Sequence, residues 1–353
     1  MSVSDKLTTV HDGHPPFIAV PPVWEVIKYP ITPVDLVFVK DHGPIEHLDA
    51  ATFKLKIDGL VEQEVEYTLA EIQQNFPKVE VVAALDCAGN PHTGEQGGDK
   101  PIHGVLRKEI ANVIWGGVRL RDLLLAARVR SVSHRPGKTY AHFVSHITEP
   151  GKPDELFGTS VPLEKVLSED GDVLLAYEMN GKRFRDEHGF PFRTVVPGYI
   201  GTRWVKWVNR ITIAHHESDN LSEVQATEPA DQFLSKFPPI LANPINSVIG
   251  SVKIHNGQLI IKGYAVGGEA GQIKEVSVSV DGGRDWVPAK IIYQDGRWSW
   301  TLWEATISLL GGPAEYHGTV YSRAQDTSGN TQSKDTGSNP KGVAAAGYGE
   351  AQF

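Results

Sequence analysis

The sequence predicts a two-domain chain of the α+β class, a mixed α/β domain followed by an all-β, immunoglobulin-like sandwich. Three observations carry this. The 353 residues exceed what one hydrophobic core usually serves. Residues 36–220 mix alternating strand patterns with short helical ones. From 241 to 353 the segments read as strands separated by Gly-rich turns, the signature of a sandwich.

In chain order, residues 1–35 are rich in proline (Pro15, Pro16, Pro21, Pro22, Pro30, Pro33) and read as an extended arm on the surface. DLVFVKDHGP begins the first domain with a short apolar strand. Thr52 to Asp58 alternates, with Phe53, Leu55 and Ile57 on one face and Lys54, Lys56 and Asp58 on the other. Thr68 and Glu71 have capping-box spacing and open a short helix that Pro77 closes. Leu120, Leu123, Leu124 and Ala127 mark a helix over about 119–128, and Pro162 sits in the first turn of another at 162–168. GDVLLAYEMNG is a buried strand entering a turn. Residues 221–240 are a polar connector. QLIIKGYAV, KEVSVSV, RWSWTLW and TVYSRAQD then alternate as sandwich strands, with Val276, Val278 and Val280 on one face. The Gly/Ala-rich tail from Gly337 is expected to be disordered unless something docks it.

Composition excludes several classes. A net charge of −9 without a basic run argues against nucleic-acid binding. One cysteine excludes an intramolecular disulfide. No apolar stretch has signal-peptide or membrane-spanning character, so an intracellular, cytoplasmic protein without a membrane partner is expected. Gly94, Gly97 and Gly98 lack P-loop and GxGxxG spacing, and the 14 histidines form no HExxH or zinc pattern.

Two features point to chemistry. Cys87 lies where the apolar run VVAALD meets the turn-forming Ala88-Gly89-Asn90. It is either a packed thiol or a reactive one, and a Cys-His hydrolase using His42 or His188 stays open at this point. Downstream, His188, Arg193, Arg203 and Lys206 fall within 19 residues on Gly- and Pro-broken segments. Arginine forks and a lysine point charge facing one cavity make an anion site. The aromatic neighbours Phe190, Phe192, Trp204 and Trp207 argue against full exposure.

Taken in order, ITPVDLVFVKDHGP, CAGN at 87–90, LLAYEMNG at 174–181, HGFPFRTVVPGYIGTRWVKW at 188–207, KGYAV at 262–266 and VSVDGGRDW at 278–286 form a specific pattern. From about Ile31 to Gly342 the chain resembles the sulfite oxidase family of molybdenum enzymes, which includes the molybdenum domain of eukaryotic nitrate reductase. The resemblance implies a sulfite-oxidase-type mixed α/β molybdopterin-binding domain followed by an immunoglobulin-like dimerisation domain. Cys87 would be the thiolate on molybdenum, a soft ligand suited to it. The molybdenum–molybdopterin cofactor would be held by His42, His188, Arg193 and Lys206, with Phe38, Lys40 and Arg203 beside them. The reaction implied is oxygen-atom transfer to or from a small oxyanion, first of all sulfite to sulfate. No haem or flavin domain is expected in this chain, so electrons would pass to an external acceptor, a cytochrome or dioxygen, from a homodimer joined through the second domain.

The pattern also departs from the family. Where the family lines its substrate pocket with arginines, this chain has Lys40, His92 and Lys341, and Arg107 lies near the position of a missing tryptophan. Two point charges and an imidazole keep the pocket cationic but lose planar recognition of an oxyanion. Alternatives are therefore another S- or N-oxide or an oxyanion such as nitrate, or a silent dimeric binding protein. If His92 meets the substrate, losing its charge through the ordinary histidine range weakens anion binding as pH rises. The KM for sulfite should then climb over that range in the wild type and stay flatter in His92→Arg. A flat wild-type profile counts against the contact.

Overall fold

The computed structural model describes residues 4–11, 17–41, 43–87, 108–130, 139–149, 152–219, 240–309, 317–334 and 347–353. His42, His92, Arg107, Lys341 and nearly all of the 221–240 connector lie outside the described residues.

Among the described residues the strands form five sheets. In the first domain, Val79–Asp86 pairs antiparallel with Ile110–Arg119, which pairs with Leu174–Met179. Lys182–Arg183 and Arg193–Val195 pair with that last strand. The second sheet runs Val65–Tyr67, Leu55–Gly59, Val208–Ala214, Tyr140–Glu149, Lys152–Pro162, with one parallel neighbour pair, Val208–Ala214 on Leu55–Gly59. Apolar faces of both sheets meet in one core that includes Leu55, Ile57, Ala83, Leu85, Trp115, Phe143 and Ile211.

Local chemistry explains the elements. The helix Leu69–Asn75 starts with both bonds of the capping box: Glu71 N–H donates to Thr68 Oγ1, and Thr68 N–H donates to the Glu71 carboxylate. Leu120–Ala126 buries Leu120, Leu123 and Leu124, and Leu163–Leu167 follows Pro162 at its N-cap. Asn180-Gly181 is a two-residue hairpin turn with φ of +53° and +70°, the pair that type I′ geometry favours. Asp58 departs from the expected exposed face. It is buried, and Thr212 Oγ1, Lys56 and Arg210 surround its carboxylate.

The C-terminal domain stacks Asn246–His255, Gly-bearing Gln258–Val266, Thr301–Ser308 and Lys290–Gln294 against Val287–Pro288, Ile273–Ser279, Thr319–Asp326 and Gly349–Gln352. Ile249, Leu259, Ile261, Trp303, Val276, Val278 and Val320 fill the space between. Val276 and Val278 are buried as the alternation requires; Val280 is exposed because the strand has already ended at Ser279.

The N-terminal segment is not a surface arm. Thr8–His11, Phe17–Val20 and Val39–Asp41 form a three-stranded sheet, and Ala19, Val20, Val23, Val26 and Ile27 are buried. Val23, Val26 and Ile27 share one face of a short helical turn, and they pack with Val248, Tyr264, Val266, Trp300 and Leu302 of the second domain. Gly250 permits this approach, since a Cβ there would lie 2.8 Å from both Val23 and Ile27. The end of the tail is likewise docked: Gly349–Gln352 adds to Thr319–Asp326 as an antiparallel strand. Among the described residues no helix is long and apolar enough to cross a membrane.

The domains are joined through Asn112, fully buried in the strand Ile110–Arg119. Its Nδ2 donates to the Pro30 carbonyl (2.9 Å) and to Ser299 Oγ (3.2 Å), and its Oδ1 accepts from Trp300 N–H (3.2 Å). Its main chain exchanges two bonds with Thr32. Removing the amide strands buried groups from the arm and from the second domain. We expect Asn112→Ala to cost about 3 kcal/mol in urea unfolding, by the desolvation of orphaned polar groups. The exposed Asn75→Ala should stay within about 0.5 kcal/mol of wild type.

Candidate functional site

Cys87 is the residue after Asp86, at the end of the strand Val79–Asp86. The antiparallel register pairs Asp86 with Ile110, so Cys87 comes opposite Glu109, and Cys87 N–H donates to the Glu109 carbonyl (3.1 Å). The turn Gly201–Arg203 closes over it: a Cβ on Gly201 would lie 3.2 Å from the Asp86 carbonyl and 3.5 Å from Cys87 Cα. The thiol is half-buried.

Lys40 reaches the same place from the strand Val39–Asp41. Its Nζ lies 3.5 Å from Cys87 Sγ and 2.9 and 3.3 Å from the two Glu109 carboxylate oxygens. Burial works to lower the Lys40 ammonium, but the charges of Cys87 and Glu109 beside it outweigh that and raise it above the ordinary lysine value. Lys40 therefore stays charged, and its charge favours the thiolate at Cys87.

A second cluster adjoins the backbone of Lys40. The turn Asp186–His188 ends at Gly189 with φ +103°, a conformation that favours glycine. A Cβ there would also press on the Lys206 side chain at 2.9 Å. Lys206 Nζ donates to the carbonyls of Lys40 and Glu187, both at 3.0 Å, and contacts the buried Asp41 carboxylate. Burial pulls the Lys206 ammonium below the ordinary lysine value, to about 7. Arg193 pairs with Lys206 across an antiparallel bridge and lies over the Trp115 ring, with its guanidinium carbon 5.2 Å from the ring centre. Its Nη1 reaches the His188 carbonyl at 3.4 Å. Burial, reinforced by Arg193 and Arg185, lowers the His188 imidazole to about 3, so it is neutral across the physiological range.

The structure thus brings Cys87 and Lys40 together, and gathers His188, Arg193 and Lys206 beside the Lys40 main chain. Phe38 is buried in the main core cluster, against which Cys87 also packs. Arg203 donates to Thr159 Oγ1, to the Ser160 carbonyl (3.2 Å) and to the Ile240 carbonyl (3.1 Å), which ties the strand Lys152–Pro162 to the start of the second domain. Sequence reasoning missed Asp41 and Glu109. Asp41 had a faint signal, a carboxylate in the buried register of a short strand, two residues after Val39. Glu109 had none, because 22 residues separate it from Cys87 and the pairing register alone joins them.

The residues present fit an anionic cofactor. Arg193 Nε is buried without a hydrogen-bond partner, and an uncompensated guanidinium is costly in such a place. A phosphate supplies the acceptor that Arg193 Nε lacks, and the Lys206 ammonium lies beside it across the bridge between the two residues. His188, neutral, can donate one ring N–H. The half-buried thiol, held near an ammonium, suits a soft metal.

Residues 42–222 match the oxidoreductase molybdopterin binding domain, and residues 239–349 match the Mo-co oxidoreductase dimerisation domain. Sulfite oxidase of Arabidopsis thaliana is 33% identical, over 93% of this chain and 89% of that protein. Sulfite oxidase of Gallus gallus is 34% identical, over 84% of this chain and 67% of that one. Nitrate reductase [NADH] of Ulva prolifera is 34% identical over 91% of this chain but only 40% of its own length. The crystal structure of the sulfane dehydrogenase SoxCD from Paracoccus pantotrophus superposes with a TM-score of 0.79 at 27% identity, covering 98% of this chain and 87% of that one. With both domains matched and the cationic cluster fit for a pterin phosphate, the chain belongs to the sulfite oxidase family of molybdenum-cofactor oxidoreductases.

Proposed function

We propose that this enzyme oxidises sulfite to sulfate, with Cys87 as the protein's thiolate on molybdenum. Water provides the added oxygen, and two protons and two electrons leave, the electrons to a separate acceptor. The observation that carries the reading is the placement of Lys40 Nζ 3.5 Å from Cys87 Sγ, beside a buried cluster in which Arg193 Nε lacks an acceptor. The relatives named sulfite oxidase support the choice of substrate.

The bound cofactor supplies the two-electron redox chemistry. The chain's residues bind and orient. Lys206 and Arg193 take the phosphate of the pterin, and neutral His188 donates to an acceptor on it without adding charge. Lys40 keeps Cys87 ionised and draws the oxyanion to it. From the family resemblance, His92 and Lys341 add to that attraction and His42 contributes to binding the cofactor. A homodimer through the C-terminal domain and an intracellular location complete the proposal.

Cys87→Ser tests the assignment. The variant should lose one sulfur from the molybdenum shell in X-ray absorption. Its sulfite-dependent ferricyanide reduction should fall by roughly a hundredfold or more, at least the loss usual for a disturbed metal shell. Full activity with an unchanged shell would refute it.

A pH test addresses His188. The unfolded chain protonates this imidazole near its ordinary 6.5, whereas the fold holds it neutral down to about 3. The unfolded state therefore binds more protons between those values, and stability falls as pH drops below 6.5. The loss should reach about 2 kcal/mol at about pH 5, and His188→Gln should flatten that limb of the curve in chemical unfolding of the apoprotein.

A further inference from the structure

We propose that Glu109 sets oxyanion affinity at this site by competing with the substrate for Lys40. The inference rests on the reading of Lys40 as a substrate-attracting residue. Glu109 touches no reacting atom in that reading and acts through Lys40, as a positioning residue.

Among the described residues the Lys40 ammonium lies at Cys87 Sγ, and it already serves two negative groups. The Glu109 carboxylate embraces it with both oxygens, at 2.9 and 3.3 Å, while the sulfur lies at 3.5 Å. The side chains of Lys40 and Glu109 are 20% and 12% exposed, so solvent screens the pair only in part. The Glu109 backbone is fixed beside Lys40: its carbonyl accepts from Cys87 N–H at 3.1 Å, and the strand register that begins at Ile110 sets its position. A dianion arriving beside Cys87 must either take the ammonium from this carboxylate or share it at close range with a like charge.

The consequence is a site with moderated charge. An unopposed lysine beside the metal ligand would hold sulfate, the dianionic product, as readily as it draws in sulfite. Opposing it with a fixed carboxylate weakens both, which raises KM and eases product release. The effect scales with ligand charge and leaves an uncharged ligand of the same shape nearly untouched.

The test compares sulfate with dimethyl sulfone, a neutral tetrahedral isostere, by calorimetric titration of the molybdenum-loaded enzyme. Glu109→Gln should bind sulfate about tenfold or more tightly than wild type, while the sulfone changes by less than about twofold. The KM for sulfite should fall with the sulfate Kd, and kcat should hold or fall as release slows. The gain should vanish in the double variant Lys40→Gln/Glu109→Gln. Unchanged or weaker sulfate binding in Glu109→Gln overturns the proposal. Glu109→Ala must move in the same direction. Should both carboxylate-free variants fail to fold, the wild type decides: a preference for sulfate over the sulfone of no more than about tenfold supports the competition, and a larger one overturns it. Molybdenum content and sulfite turnover of the wild type report on the functional reading separately. An enzyme that holds molybdenum but leaves sulfite unoxidised defeats that reading, while the two titrations still decide what Glu109 does.

Discussion

The pairing of Val79–Asp86 with Ile110–Arg119 is the constraint on which both the site and the domain arrangement depend. At one end its register sets Cys87 against Glu109, and Lys40 arrives to meet both. Three residues inward from Glu109, Asn112 gathers the N-terminal segment and the second domain through its amide. Because side chains alternate across a strand, a slip of one residue would carry Trp115 out of the core and Glu109 away from Lys40. The apolar face of Ala83, Leu85, Val113 and Trp115 makes that slip costly, so core packing is what holds the chemistry in place.

One cation in the site, Arg193, is held where the fold by itself does not satisfy it. Arg193 is buried over Trp115 with one long hydrogen bond and an unpaired Nε. Lys206 leans on two carbonyls and a buried carboxylate, and His188 is kept neutral by burial. A buried guanidinium left short of an acceptor destabilises a folded chain unless a ligand completes it. Bound anion and folded chain then stabilise one another by mass action. Lys40 is different, since Glu109 and Cys87 complete it from within the protein.

Much of the molecule was legible one segment at a time. The capping box at Thr68, the leucine face of Leu120–Ala126, the Asn180-Gly181 turn and the alternation of Thr319–Asp326 all arise from neighbours within a few residues, so local pattern carries them. The proline-rich start misled for a physical reason. Pro22 and Pro30 suggest an irregular surface chain, yet Val23, Val26 and Ile27 have the spacing of a buried helical face. That short face is stabilised by a second domain more than two hundred residues away in sequence. The end of the tail needed a partner that its own residues do not name, because a strand of four residues is worth little until an open sheet edge accepts it.

The sequence alone determined the class of chemistry. Residue types and short spacings point to an anion site and a two-domain chain but leave Cys87 open between a packed and a reactive thiol; the resemblance of the ordered motifs to the sulfite oxidase family is what implies a thiolate on a metal. Only the tertiary structure decided what surrounds them. It joined Lys40 to Glu109 across 69 positions, turned Arg203 toward Thr159 and Ile240, and placed Phe38 in the core. Electrostatic partnership depends on distance in space, and strand register sets that distance between residues too far apart in the chain for any local pattern to relate them.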